Sequence, residues 1–149
     1  MFVCTGNTCR SPMAEAIFRA MLKEKGVKGV KVASSGISAI EGQPVMPNAN
    51  AALKALGFKP SRHRAKQLTR ADLETYDLIV CMTADHKRYL EERGNITTVA
   101  AITGLRDVAD PYGDSADVYI KTAEYLKYAC GDMIAIITKN IKNGPEGKK

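Results

Sequence analysis

Hydrophobic and polar positions along the chain switch repeatedly between two periods. Phe2-Val3 is a short apolar pair and reads as a first strand. Ser11-Pro12 then opens a helix, with proline at an early position where its missing N–H costs nothing. Met13, Ile17, Ala20 and Met21 fall at helical spacing and give that helix an apolar stripe, and Gly26 stops it. Val30 to Ala33 reads as strand two. Pro47 to Leu56 reads as a helix ended by Gly57, and Leu73 sits in a short helix with Thr69 as its cap. Asp77 to Met82 is a continuous apolar strand of the kind buried in parallel sheets. Ala84 to Glu92 is expected to be helical and Ile96 to Ile102 to be strand four. From near Ser115 the residues Tyr119, Thr122, Ala123, Leu126, Cys130, Met133, Ile134, Ile137 and Ile141 recur with a 3.6-residue period. They predict one long last helix with Cys130 in its packing face.

Strand-like and helix-like segments therefore interleave. The expected fold class is α/β: a single open twisted four-stranded parallel sheet with helices on both faces. Residues 1–149 are expected to form one domain, with 143–149 a frayed polar tail. Ligands bind such sheets beyond the carboxyl ends of the strands, and Cys4 lies at the carboxyl end of the first.

Composition narrows the function classes. Apolar residues make up 45% and charged residues 26%, an ordinary soluble mixture. Runs such as Leu78-Ile79-Val80-Cys81-Met82 are too short to span a bilayer. Only Met1-Phe2-Val3 precede Cys4, so no signal peptide and a cytoplasmic location are expected. The net charge of +6 suits steering of phosphorylated or acidic substrates, and no Lys/Arg block of nucleic-acid-arm length is present. No nucleic-acid or membrane partner is expected, and the chain is expected to be a monomer or weak dimer. Of Cys4, Cys9, Cys81 and Cys130, at least one reads as catalytic in a cytosolic chain. No second close-spaced Cys/His pair completes a zinc site, so neither metal nor cofactor is expected.

The chemistry concentrates in Cys4-Thr5-Gly6-Asn7-Thr8-Cys9-Arg10. A strand ends, a tight turn follows and a helix starts at Ser11-Pro12. Such a turn delivers backbone N–H groups and a helix N-terminus to one point, a ready anion site. Gly6 is expected to supply a positive φ, and Asn7 tolerates the left-handed conformation better than most residues. Arg10 adds a guanidinium fork that matches two phosphate oxygens. The field that holds a dianion also favours a thiolate at Cys4. An ATP-binding loop is excluded, because the Gly-Lys-Ser/Thr ending is absent.

Phe2 to Glu15, with its Cys4-to-Arg10 loop and Ser11-Pro12, resembles the opening of the low-molecular-weight protein tyrosine phosphatases. The likeness continues through Val32-Ala33-Ser34-Ser35-Gly36, His63-Arg64-Ala65-Lys66-Gln67, Asp77 to Met82, and Ala109-Asp110-Pro111-Tyr112-Gly113. The resemblance implies a phosphotyrosine phosphatase I-like fold and phosphorylated protein substrates. It makes Cys4 the nucleophile, Arg10 the phosphate ligand and Asp110 the general acid and base. Thr5, Gly6, Asn7, Thr8, Cys9, Arg10 and Ser11 would surround the phosphate. The Ser11 hydroxyl would serve the thiolate, Asn7 and Ser34 would brace the loop, and Tyr112 would wall the entrance. Two departures stand out: relatives generally carry more apolar residues before Phe2, and many tyrosine-specific members have adjacent aromatics where this chain has Tyr112-Gly113.

Single residues carry competing expectations. Cys9 is either a small loop filler or a resolving thiol that captures an oxidised Cys4. Cys81 reads as core, and His63 and His86 as surface or capping residues, His63 in a segment that supports the phosphate loop in the family. An arsenate reductase would need further cysteines after strand three, and residues 83 to 95 hold none. A non-catalytic phosphoprotein-binding module would not need both Cys4 and Asp110. Within the family, Thr8 resembles the bacterial protein-arginine phosphatases, whereas tyrosine-directed members commonly carry a bulky aliphatic there. Phosphoarginine is the expected substrate class, with phosphotyrosine the alternative.

Overall fold

The computed structural model describes residues 1–142, so the expected tail at 143–149 lies outside the described residues. Four short parallel strands form the sheet: β1 (Phe2–Cys4), β2 (Ser34–Gly36), β3 (Ile79–Cys81) and β4 (Ile96–Thr98), in the order β2-β1-β3-β4. Phe2 pairs with Ser34 on one side and with Val80 on the other, which fixes the register of the central strand. Helices α1 (Arg10–Glu24), α2 (Pro47–Ala55), α3 (Arg70–Thr75), α4 (Ala84–Tyr89), α5 (Val99–Thr103) and α6 (Ala116–Lys142) fill the connections.

The period of two along each strand divides the core. Phe2, Cys4, Val80 and Met82 face the larger cluster, with Met13, Ile17, Leu53, Tyr119, Leu126 and Ile134. Val3, Ile79, Cys81 and Ile96 face the smaller one, with Leu73. Helices thus cover both faces of the open sheet, as expected. Among the described residues no helix is long and apolar enough to cross a membrane.

Several boundaries move. The second strand is Ser34–Gly36 and not Val30–Ala33. Val30 and Val32 pack against the larger cluster at its edge, while the polar Ser34 and Ser35 occupy the ladder. Their hydroxyls have partners there: Ser34 Oγ accepts from Asn7 Nδ2 at 3.0 Å, and Ser35 Oγ donates to Met1 Sδ at 3.2 Å. The fourth strand stops at Thr98, and the expected strand residues Val99 to Ile102 form α5 instead. Thr98 Oγ1 accepts from Ala101 N at 3.0 Å and caps that turn. The third strand and α4 are also shorter than their apolar and helical runs suggest.

In α1 the stripe is rotated: Met13, Ile17, Phe18 and Leu22 are buried, whereas Ala20 is exposed. Thr69 caps α3 in a complete capping box with Asp72. Along α6, Tyr119, Ala123, Leu126, Cys130, Met133 and Ile134 are buried, with Ile137 packed at the margin. Thr122 is only half-buried.

Candidate active site

The loop between β1 and α1 ties its carbonyls to the surrounding framework. Cys4 O accepts from Ile37 N at 3.0 Å, Thr5 O from Ser38 N at 2.9 Å, Thr8 O from Met46 N at 2.9 Å and Cys9 O from Met13 N at 3.1 Å. The N–H groups of residues 5–10 find no backbone acceptor among the described residues. Cys9 is the N-cap of α1, which has no side-chain cap and no acidic residue in its first turn. Donors left open at a helix N-terminus make an anion site.

Asn7 holds this shape. It alone in the loop takes the left-handed conformation, at φ 57°. Its amide donates to Ser11 Oγ at 2.8 Å and Ser34 Oγ at 3.0 Å. Its Oδ1 accepts from Lys66 N at 2.9 Å and pairs with His63 Nε2 at 2.7 Å. All of its side-chain polar capacity is used, so the strained conformation is determined from four sides. Gly6, expected to supply a positive φ, does not have one; the left-handed step is made by Asn7 and its network.

Gly36 matters for a different reason. A Cβ there would lie 2.4 Å from Thr5 O and 3.0 Å from Asn7 N, so the end of β2 accepts the loop only because it has no side chain. Gly36 ends the Val32-to-Gly36 motif, and nothing in that string marks the close approach.

Cys4 is buried, with its Sγ 2.9 Å from Ser11 Oγ. Because Asn7 donates into that hydroxyl, the single Ser11 proton is free for the sulfur, the nearer partner than Ser35 O at 3.4 Å. Arg10 is also buried. It donates Nη1 to Val108 O at 3.0 Å and Nη2 to Thr5 Oγ1 at 3.4 Å, and Nη2 lies 3.6 Å from Asp110 Oδ2. Val108 is anchored in turn by its N–H to Met82 O at 2.9 Å. The end of β3 thereby ties the Asp110 segment to the phosphate loop. Asp110 is 55% exposed and accepts from Tyr112 N at 3.1 Å; Tyr112 is 69% exposed at the same rim.

The remaining cysteines are quieter. Cys9 is buried, its thiol 3.5 Å from the Tyr119 hydroxyl, and burial pushes it up despite that contact. Cys81 lies in the smaller core, pushed up to about 12 by burial, as expected of a core residue. Cys130 is likewise buried and pushed up.

Both histidines depart from the surface role. His63 meets Asn7 and lies 3.4 Å from Ser34 Oγ, with its other nitrogen 3.7 Å from Glu15. His86 is 4% exposed and its Nε2 is 2.8 Å from Thr5 Oγ1. His86 is the residue that sequence reasoning missed most clearly. Its signal is positional only: it is the third residue of α4, just beyond β3 at the carboxyl end of the sheet, where its N–H donates to the capping Thr83 Oγ1 at 3.1 Å.

Acidification should therefore destabilise the fold. Burial, then the neighbouring Arg10, pushes His86 down to about 4 against the opposing pull of Asp110, Asp85 and Asp107. Burial also pushes His63 down. An unfolded imidazole binds a proton near ~6.5. As pH falls from there to about 4, the unfolded chain gains protons that the folded chain does not, so stability is lost across that window. The expected loss from His86 is on the order of 2–3 kcal/mol in urea-unfolding free energy. His86→Gln should remove that share, and a wild-type profile level from pH 7 down to about 4 would contradict the sign.

Fold and site together define an α/β protein whose open loop N–H groups, helix start and Arg10 converge at the carboxyl end of a parallel sheet. A family model described as low molecular weight phosphotyrosine protein phosphatase matches residues 1–143, and the chain belongs to that family. It is 39% identical to a low molecular weight protein-tyrosine-phosphatase of Staphylococcus haemolyticus, over 89% of this chain and 94% of that protein. It is 35% identical to a protein-arginine-phosphatase of Bacillus subtilis, over 95% of each. Among solved structures it resembles the YwlE arginine phosphatase in a mutant form whose active-site serine is phosphorylated. That match has a TM-score of 0.87 and 34% identity, and covers 93% of this chain and 95% of the other. The chain is thus an enzyme of the low-molecular-weight protein phosphatase family, acting on phosphorylated proteins.

Proposed function

We propose that this phosphatase hydrolyses protein phosphoarginine through a phosphocysteine intermediate on Cys4, with no step routed through a metal. Cys4 Sγ attacks phosphorus in line, forming the S–P bond as the P–N bond of the substrate breaks. Arg10 and the open N–H groups of the loop take up the charge on the equatorial oxygens. Asp110 gives its proton to the departing guanidine nitrogen. A water then attacks the phosphocysteine, Asp110 takes the water's proton, and the thiolate leaves with phosphate released. The Ser11 hydroxyl, 2.9 Å from Sγ, stabilises the sulfur each time it carries charge. The phosphorylated serine of the related YwlE mutant supports the covalent step.

The observation that carries the choice of substrate is Thr8, part-buried in the loop with a hydroxyl. A phosphoguanidinium is planar and rich in N–H donors, and each donor left unpaired after burial costs ~1–3 kcal/mol. Thr8 offers an acceptor, and Asp110 at the rim offers carboxylate oxygens. An aryl ester needs neither and gains more from a bulky aliphatic. Matched phosphoarginine and phosphotyrosine peptides test the reading. Wild type should favour phosphoarginine, and Thr8→Ile should lower its kcat/KM by roughly 10-fold or more. Activity on phosphotyrosine should hold or rise. Parallel losses would make Thr8 a packing residue, and a wild-type preference for phosphotyrosine would give the alternative its place.

A further inference from the structure

We propose that His86 is a positioning residue of the phosphate loop: a neutral imidazole on α4 that donates its Nε2–H to Thr5 and, through that hydroxyl, fixes the plane of Arg10. The inference rests on the reading of residues 4–10 as the substrate phosphate site.

The geometry makes Thr5 Oγ1 a junction. Arg10 Nη2 reaches it at 3.4 Å and His86 Nε2 at 2.8 Å. A guanidinium can only donate, so the Thr5 oxygen is the acceptor for Arg10. Two arrangements of His86 are then open. In one the Thr5 hydroxyl donates to a bare Nε2 and the imidazole proton sits on Nδ1. Nδ1, however, is buried and has no partner among the described residues, and an orphaned buried N–H is the rarer and costlier defect. In the other, Nε2–H donates to Thr5 and only a lone pair is orphaned. A charged imidazolium would combine the orphaned N–H with a second cation close to Arg10.

The neutral Nε2–H form is therefore the one that fits. Thr5 Oγ1 then receives two donors, and its own O–H is released for a third partner. Thr5 is exposed and belongs to the loop that would hold the phosphate, so a bound anion is the acceptor within reach of that role. With Val108 O holding Nη1 at 3.0 Å, His86 and Thr5 complete the second of two fixed points for the guanidinium. Two points and the planarity of the group determine its orientation before any substrate arrives, which is the condition for bidentate recognition of phosphate.

The test reads anion binding apart from turnover. Affinity for inorganic phosphate is measured by calorimetry in His86→Leu, His86→Gln, Thr5→Val and the combined Thr5→Val/His86→Leu variant, with thermal melting alongside. Thr5→Val should weaken phosphate binding by about 5- to 10-fold or more, as the loss of one polar contact to a charged group does. His86→Leu should weaken it by about 5-fold. Once Thr5→Val is present, His86→Leu should cost nothing further, because His86 acts only through that hydroxyl. His86→Gln, which can still donate an N–H, should stay within about 2-fold of wild type. A well-folded His86→Leu that binds phosphate like wild type would overturn the proposal. So would additive losses in the double variant, or a His86→Gln as weak as His86→Leu. If His86→Leu does not fold, two measurements decide: Thr5→Val with unchanged affinity overturns the proposal, and so does a His86→Gln weakened by 5-fold in the native Thr5 background. Because no turnover enters, failure of Cys4 as the nucleophile would leave these outcomes intact. Absence of any phosphate binding in wild type would overturn both readings.

Discussion

Cys4→Ser should lose about 10³-fold or more in turnover while still binding inorganic phosphate. The two halves of that result have separate origins. Turnover requires a nucleophile that both attacks phosphorus and later departs from it, and a serine alkoxide does neither well near neutral pH. Binding depends on the open N–H groups of residues 5–10, the start of α1 and Arg10, none of which the substitution touches. The oxygen of the replacement would also lie against the Ser11 hydroxyl, now 2.9 Å from Sγ, so the loop has no reason to collapse. Long incubation with substrate should leave the mass of one phosphoryl group on residue 4, matching the phosphorylated serine of the YwlE mutant. Turnover above a few per cent of wild type, on a rigorously thiol-free preparation, would sink the assignment.

Local chemistry made the loop legible, and distant partners stayed hidden. The string Cys4 to Arg10 followed by Ser11-Pro12 announces an anion site because its residues act on one another within a single turn. The long helix α6 was equally plain, since 27 residues give a 3.6-residue period room to show. Strand two escapes the hydrophobic pattern because it is made of Ser34, Ser35 and Gly36, which do not look apolar. Its hydroxyls are satisfied by Asn7 and Met1, partners far away in sequence. Val99 to Ile102 suggests a strand because a short apolar run has no period long enough to separate helix from strand. What decided it was the Thr98 hydroxyl turning back onto Ala101 N–H.

The site shows the same division. The fold brings Arg10 and Asp110, 100 residues apart in the chain, to within 3.6 Å of each other. The Val108 carbonyl that steers Arg10 could not be anticipated, since any residue can present a carbonyl. His86 is 81 residues from Thr5, and an isolated histidine among Lys87, Arg88 and Tyr89 looks solvated. Only the folded sheet, with β3 beside β1, brings the two together.

Asp110→Asn should slow hydrolysis by ~10²–10⁴-fold on substrates with poor leaving groups, and much less on p-nitrophenyl phosphate. The choice of asparagine is what gives the comparison its meaning. Asp110 has a structural duty, because its Oδ1 accepts from Tyr112 N at 3.1 Å and so shapes the Asp-Pro turn. Asparagine keeps an oxygen in that position, and the turn should survive. It cannot carry a titrating proton, so proton delivery to the leaving group is lost. A nitrophenolate leaves readily without that proton; a phenolate, an alkoxide or a guanidine nitrogen does not. The dependence of rate on leaving-group basicity should therefore steepen in the variant. A second effect runs the other way. Asp110 lies 3.6 Å from Arg10, and removing its charge leaves the guanidinium freer for phosphate. Inorganic phosphate should consequently bind at least as tightly to Asp110→Asn as to wild type, even as kcat falls. Asp110→Ala, which breaks the turn as well, should lose affinity for the whole substrate in addition. Equal losses on activated and unactivated substrates in Asp110→Asn, with weaker phosphate binding, would identify Asp110 as a turn residue and move the proton donor elsewhere.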